Sequence, residues 1–341
     1  MGEEMSLAPA HAPDCAAKEP LLAVKSLRIK FDTYEGMLTA VDGVDLEVCR
    51  GETLGLVGES GCGKSVTALS VLRLLQSPPA RVEGSILFED KDLLALSDEE
   101  IRLIRGNSIS MIFQEPMTSL NPVMTLGRQI SEAIMLHQGL TKHQAWDRAV
   151  DMLRMVQIPS PRRRARDYPH RMSGGMRQRA MIAMALSCHP HLLFADEPTT
   201  ALDVTIQAQI MDLMLHLKEE FETSIVLITH DLGLIAETAS RVVVMYAGKV
   251  VEQANILDLF RNPLHPYTEG LLGSIPVLGR KDRQARRLLH EIPGVVPSLS
   301  EMPQGCRFHP RCTKAMERCC ENPPPLFDKG QGRKVRCWLW E

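Results

Sequence analysis

Gly58-Glu59-Ser60-Gly61-Cys62-Gly63-Lys64-Ser65 sits between the apolar run Thr53-Leu54-Gly55-Leu56-Val57 and a stretch, Val66–Leu75, whose apolar residues recur at helical spacing. It fills every fixed place of the eight-residue phosphate-loop pattern, and strand, glycine loop and helix follow in the order that gives the pattern its meaning. Glycines let backbone N–H groups turn inward around an anion where side chains would obstruct them. The helix start just beyond favours negative charge at the same place. Gly58, Ser60, Gly61, Cys62, Gly63 and Val66 are therefore candidate nucleotide contacts. Lys64 supplies a charge to the terminal phosphates, and the Ser65 hydroxyl is a candidate magnesium ligand.

Outward from the loop, the pattern changes character twice. Upstream, Leu21 to Val48 alternates apolar and polar residues, as in Leu27-Arg28-Ile29-Lys30-Phe31, which predicts half-exposed antiparallel strands. Downstream, Leu192–Ala195, Ile225–Ile228 and Val242–Met245 are nearly continuous apolar runs separated by helical segments. Strands covered on both faces and alternating with helices predict a parallel-rich α/β core. Strand signals vanish from about 115 to 172, where Ile130–His137 and Gln144–Val156 have helical periodicity, a helical insertion. Residues 1–20 read as a flexible tail, 21–255 as the main domain, and 256–341 as a Pro- and Arg-rich, loop-rich appendage.

A phosphate loop needs an acidic partner for its magnesium. Leu192-Leu193-Phe194-Ala195-Asp196-Glu197 delivers one at a strand end. Asp196 is the expected metal carboxylate, and Glu197, one residue on, the general base for water. Gln114 and His230 each follow an apolar strand run, where polar residues of an α/β sheet face a ligand. The run Arg162-Arg163-Arg164-Ala165-Arg166 reads as a solvated face.

Together with Ser173-Gly174-Gly175-Met176-Arg177-Gln178-Arg179 and Ala201-Leu202-Asp203, these motifs in this order resemble the ATPase subunit of ATP-binding-cassette transporters from about Leu21 to Asn255. The resemblance implies a P-loop cassette that binds ATP with Mg2+, in which Ser173, Gly174 and Gly175 meet ATP held by a second cassette subunit. It implies catalytic roles for Glu197, His230 and Gln114, with Gln114 also touching magnesium, a nucleotide contact at Asp203, and adenine stacked on Tyr34, or on Phe31 in its place. The family signature usually has Gln where Met176 stands, so no polar contact is expected there. Asn262-Pro263-Leu264-His265-Pro266-Tyr267-Thr268, Ile292-Pro293-Gly294-Val295-Val296-Pro297 and Gly305-Cys306-Arg307-Phe308-His309-Pro310-Arg311-Cys312 are similar to the dipeptide and oligopeptide importers in particular. That implies two membrane permeases, an external substrate-binding protein, a different chain as cassette partner, and a place at the cytoplasmic face of the membrane. It also implies a permease helix lodged near Gln114–Pro116 and Ile130–Val156. A nickel importer and a soluble non-transport cassette ATPase are the alternatives.

Composition fits this picture. The 341 residues are 44% hydrophobic and 24% charged with net charge −3, so no nucleic-acid partner is expected. No run approaches the ~20 apolar residues of a bilayer span. Nine cysteines, an odd number without a secretory signal, argue against a disulfide framework. Five of them, Cys306, Cys312, Cys319, Cys320 and Cys337, crowd the C-terminus of a segment too small for its own core. Four thiolates there, with Cys320 spare or an alternate ligand, would supply cross-links as a structural metal does. Spacing does not name the metal: the gaps are wider than zinc's usual pairs and match no ferredoxin pattern. The resemblance to peptide-importer ATPases with this tail implies a 4Fe–4S cluster on Cys306, Cys312, Cys319 and Cys337.

Overall fold

The computed structural model describes residues 19–34, 36–115, 119–200, 202–275 and 292–341. Cys15, Pro116, Ala201 and nearly all of the expected N-terminal tail lie outside the described residues. Among these, twelve strands occur: β1 Leu22–Thr33, β2 Gly36–Val48, β3 Thr53–Val57, β4 Ala80–Phe88, β5 Lys91–Asp92, β6 Ile109–Ile112, β7 Leu192–Asp196, β8 Ser224–Thr229, β9 Arg241–Tyr246, β10 Lys249–Asn255, β11 Phe327–Asp328 and β12 Lys334–Val335. They belong to two units, one of Met1–Val48, Thr53–Asp92 and Thr229–Glu341, the other of Cys49–Glu52 and Leu93–Ile228.

In the first unit the period-two stretch forms the expected antiparallel pair, with Leu22 opposite Val48 and Thr33 opposite Gly36. Leu22, Val24, Leu27 and Ile29 are fully buried while Lys25 and Arg28 face solvent. β4 and β5 complete this sheet in the order β2-β1-β4-β5. Neither is announced by the sequence, since Arg81 to Phe88 carries only a weak alternation. A second sheet pairs β3 with β9 in parallel, β9 with β10 and β10 with β12 antiparallel. β3 is buried along its whole length, as its unbroken apolar character requires.

The appendage shares this unit rather than standing apart. β12 continues the sheet through Glu252 opposite Val335. The fully buried Glu252 accepts the N–H groups of Leu264 and His265 at 2.7 and 2.8 Å. That satisfies the carboxylate and fixes the turn into the helix Pro266–Gly273.

The second unit holds β6, β7 and β8, all parallel, in the register Ile109↔Leu192 and Leu192↔Ser224. Its helical insertion contains Leu126–Gln138 and Lys142–Met155. The first begins four residues before its apolar periodicity does. The Leu126 and Gly127 N–H groups, orphaned at a helix start, donate to Asp167 O at 3.0 Å and Ala165 O at 2.8 Å. The basic run lies largely on the four-residue helix Pro161–Arg164, which buries no residue, with Arg162 paired to Asp147 at 3.0 Å.

The helix after the phosphate loop is Lys64–Val71, shorter at its end than its periodicity suggests. A Schellman closure stops it: Arg73 takes φ 49°, Leu74 N–H reaches Leu69 O at 2.8 Å, and Arg73 N–H reaches Ser70 O at 3.0 Å. An arginine at that left-handed place leaves no signal of the kind glycine would.

Candidate nucleotide site and cysteine module

The phosphate loop of the first unit is a cradle in the literal sense. Gly58 has φ 152°, and a Cβ there would lie 2.2 Å from the Met245 carbonyl oxygen, so only glycine fits. Gly61 and Gly63 also have positive φ. Ser60 and Gly61 are exposed at the rim, Cys62, Gly63 and Lys64 are buried, and Ser65 and Val66 are half-buried. Burial pushes the Cys62 thiol up, so this residue has only its backbone to offer an anion. The Lys64 ammonium donates to Gly58 O at 2.7 Å and Glu59 O at 3.0 Å, which holds it against the loop. No acidic residue stands in the first turn of the helix it opens. The donor set, inward-turned backbone with one ammonium and one hydroxyl, fits a nucleotide triphosphate and its magnesium. Tyr34 is fully exposed at the β1–β2 connection, whereas Phe31 is half-buried within β1.

In the second unit, Asp196 is the buried last residue of β7. Glu197 follows with φ 44°, a left-handed backbone that costs about 1–3 kcal/mol in a non-glycine residue and persists where surroundings enforce it. Its N–H donates to Ile228 O at 2.8 Å, tying the turn to β8. Its carboxylate accepts from Gln114 Nε2 at 2.9 Å and from Thr200 Oγ1 at 2.8 Å. Gln114, two residues beyond β6, and Glu197 are thus brought together, as their common place past strand tips suggested. Thr200 escaped notice because a threonine three residues after an acid is unremarked in sequence.

Ser173 caps the helix Gly174–Leu186, its hydroxyl accepting Met176 N–H at 3.3 Å. Gly174 is exposed and Gly175 half-buried. Asp203 caps Val204–Glu220 through Ile206 N–H at 3.0 Å, so its carboxylate is engaged locally. In the first unit His230 is exposed directly after β8, and Asp231 beside it caps Leu232–Thr238.

The C-terminal cysteines are free thiols. Burial pushes Cys306 up to about 11, with nearby Cys319, Cys337 and Cys312 adding to the shift. Burial likewise raises Cys312 and Cys337, again with Cys319 contributing to each. The four named cysteines therefore share one neighbourhood, while Cys320 is exposed with its thiol toward Met316 O. Among the described residues no three His, Cys, Asp or Glu side chains converge closely enough to hold a metal ion.

Several known proteins are similar to this chain. The ABC transporter family matches residues 41–200, and the oligopeptide/dipeptide transporter C-terminal region matches 251–319. The chain is 55% identical over 323 residues to the oligopeptide transport ATP-binding protein AppD of Bacillus subtilis, covering 94% of this chain and 97% of that one. It is also 55% identical to a probable peptide ABC transporter ATP-binding protein of Sinorhizobium fredii, covering 93% of this chain and 94% of the relative. Among solved structures, a dimeric ATP-binding cassette bound to ADP and Pi superposes with TM-score 0.62 at 27% identity, over 69% of this chain and 98% of that one. A cassette from Clostridium perfringens, part of an ABC transporter complex, gives TM-score 0.60 at 26% identity, over 72% and 92% of the two chains. Among the described residues no helix is long and apolar enough to cross a membrane. The chain belongs to the ABC transporter family as an ATP-hydrolysing cassette of the oligopeptide/dipeptide transporter type.

Proposed function

We propose that this chain is the motor subunit of a di- or oligopeptide importer, peripheral at the cytoplasmic face of the membrane. The hydrogen bond from Gln114 to the Glu197 carboxylate carries the catalytic part of that reading. It fixes a base at the end of β7 through a residue that belongs to a different strand tip. Lys64 and the loop N–H groups of Gly58, Ser60, Gly61, Cys62, Gly63 and Val66 hold the phosphates, and Tyr34 takes adenine. Ser65, Asp196 and Gln114 supply the hard oxygen donors that magnesium prefers. Glu197 takes the proton of the attacking water, and His230 stabilises the leaving phosphate. Ser173, Gly174 and Gly175, a helix start with free N–H groups, serve ATP on the second cassette. Asp203 positions its own loop there. Two permeases and an external binding protein complete the transporter, a permease helix resting by Gln114 and the insertion helices.

The test is reconstitution. Purified with the membrane proteins that accompany it and placed in vesicles, the chain is expected to drive ATP-dependent peptide uptake. Uptake of nickel but not peptide, or ATPase activity without bound permeases, would overturn the assignment.

The same reading includes a 4Fe–4S cluster on Cys306, Cys312, Cys319 and Cys337. Cys306, Cys312, Cys319 and Cys337 influence one another electrostatically, and four thiolates are the ligand set such a cluster takes. When bound, the cluster supplies cross-links to a module whose local apolar cluster is Leu264, Val335 and Cys337, with Phe327 and Trp340 packed against it. Anaerobically purified protein is expected to contain iron and labile sulfide and to bleach with dithionite. Zinc, or no metal, in that preparation rejects the cluster.

A further inference from the structure

Glu59, the second residue of the phosphate loop, is gripped from outside the loop. Its carboxylate accepts a bidentate pair from Arg311, Nη1 to Oε2 at 2.7 Å and Nη2 to Oε1 at 3.0 Å. Its backbone N–H donates to the Tyr267 hydroxyl at 2.9 Å. Its carbonyl accepts from Lys64 at 3.0 Å. Every polar group of this residue is therefore held, two of them by residues more than 200 positions along the chain.

Arg311 is built for this grip. Its side chain is 5% exposed against 32% for Glu59. Its Nε donates to Pro293 O at 2.9 Å, and its guanidinium lies over the Tyr246 ring, 5.8 Å from the centroid. A fork so enclosed has little freedom to lose, which strengthens a bidentate pair. Arg307, on the same turn, anchors it a second time, donating to Asp42 Oδ2 at 2.6 Å and Ala247 O at 2.5 Å.

The charge at Glu59 needs explanation, because a carboxylate in a phosphate loop repels the anion the loop exists to bind. We infer that Arg311 is a positioning residue for ATP: it neutralises Glu59 and, with Tyr267, fixes the first turn of the phosphate loop, so that the C-terminal module sets nucleotide affinity. Two effects act together. Without Arg311 the loop loses its outer tether, and an unpaired negative charge stands beside the phosphates at a half-exposed position that salt can reach. The inference rests on reading residues 58–65 as the ATP site, and it stands whether or not the neighbouring cysteines carry a metal.

The experiment measures ATP·Mg binding to the full chain by calorimetry in low and high salt. Lys64→Ala checks the site itself and should abolish measurable binding; wild-type affinity there removes the ATP-site reading and this inference with it. Given that result, Arg311→Gln is expected to raise the Kd about tenfold or more, and added salt should recover part of the loss by screening Glu59. Glu59→Gln alone should change the Kd less than about threefold. The double variant Glu59→Gln/Arg311→Gln should return to within about threefold of Glu59→Gln, a rescue that a purely structural arginine would not show. Wild-type affinity in Arg311→Gln, or a double variant as weak as Arg311→Gln, overturns the inference. Should Arg311→Gln fail to fold, Tyr267→Phe decides: loss of the acceptor for Glu59 N–H should weaken ATP about threefold, and unchanged affinity there overturns it equally.

Discussion

Glu197 shows at the scale of one residue how surroundings hold an unfavourable backbone. Its φ of 44° is unfavourable, yet Ile228 O, Gln114 and Thr200 together hold it in place. Glu197→Gln is expected to bind ATP as before and to hydrolyse it ~10²–10⁴-fold more slowly, the usual loss for a positioned base. Single-turnover rates with equilibrium binding on the same preparation check both halves. His265 makes a different prediction. Its ring is wholly buried, its Nδ1 accepts Tyr267 N–H at 3.0 Å, and burial lowers its pKa from 6.5 to about 3. The unfolded chain thus takes a proton that the folded chain refuses. Stability is complete above about pH 7 and falls as pH drops toward 3, by about 2 kcal/mol at pH 5 from this residue alone. His265→Asn keeps an acceptor but does not titrate, so urea unfolding between pH 7 and 5 should show a flatter decline in the variant. Equal slopes would remove His265 from the account.

Element by element, periodicity located the helix after the phosphate loop and the two insertion helices, but not where they begin and end. The start of Leu126–Gln138 depends on carbonyls of Ala165 and Asp167, about forty residues away, which no local pattern announces. Gly127 shows how tightly that helix is seated. A Cβ there would meet Trp146 Cζ3 at 2.7 Å and Ala165 O at 2.9 Å, one of them backbone. Gly127→Ala is therefore expected to destabilise by about 1–3 kcal/mol despite the better helix propensity of alanine. Denaturant melts measure it, and a stabilised variant would show that the insertion repacks freely. In contrast, the capping box at Thr141 and Gln144 of Lys142–Met155 is local and readable: a threonine followed three residues later by glutamine.

At the scale of the whole molecule, catalysis is expected to be a property of an assembly. Ser173 and Gly174 are exposed at a helix start, in position to serve a neighbour. Ser173→Arg in this chain should leave its own ATP binding intact and sharply reduce hydrolysis at the partner's site in the reconstituted transporter. Full activity of that complex would refute the shared-site arrangement.

The phosphate loop, the acidic strand end and the runs of buried strands were legible in sequence because each is a demand of contiguous backbone. A turn around an anion needs glycine at given places, and a strand covered on both faces needs an unbroken apolar run. The cysteine-rich tail was recognised from its composition, and Cys306, Cys312, Cys319 and Cys337, with Cys320 spare, were named from the residues and the resemblance. The pairing of β12 with β10 was hidden, since two-residue strands have no period to read. Partner choice was settled only by the tertiary structure: Gln114 on Glu197, Glu252 under the turn at Leu264, and Arg311 on Glu59. A glutamate reads the same whether it caps a turn, takes a proton or answers an arginine 252 residues away. Which of these it does depends on what the closed chain sets within 3 Å of it, because hydrogen bonds and ion pairs act over that distance and sequence separation does not enter.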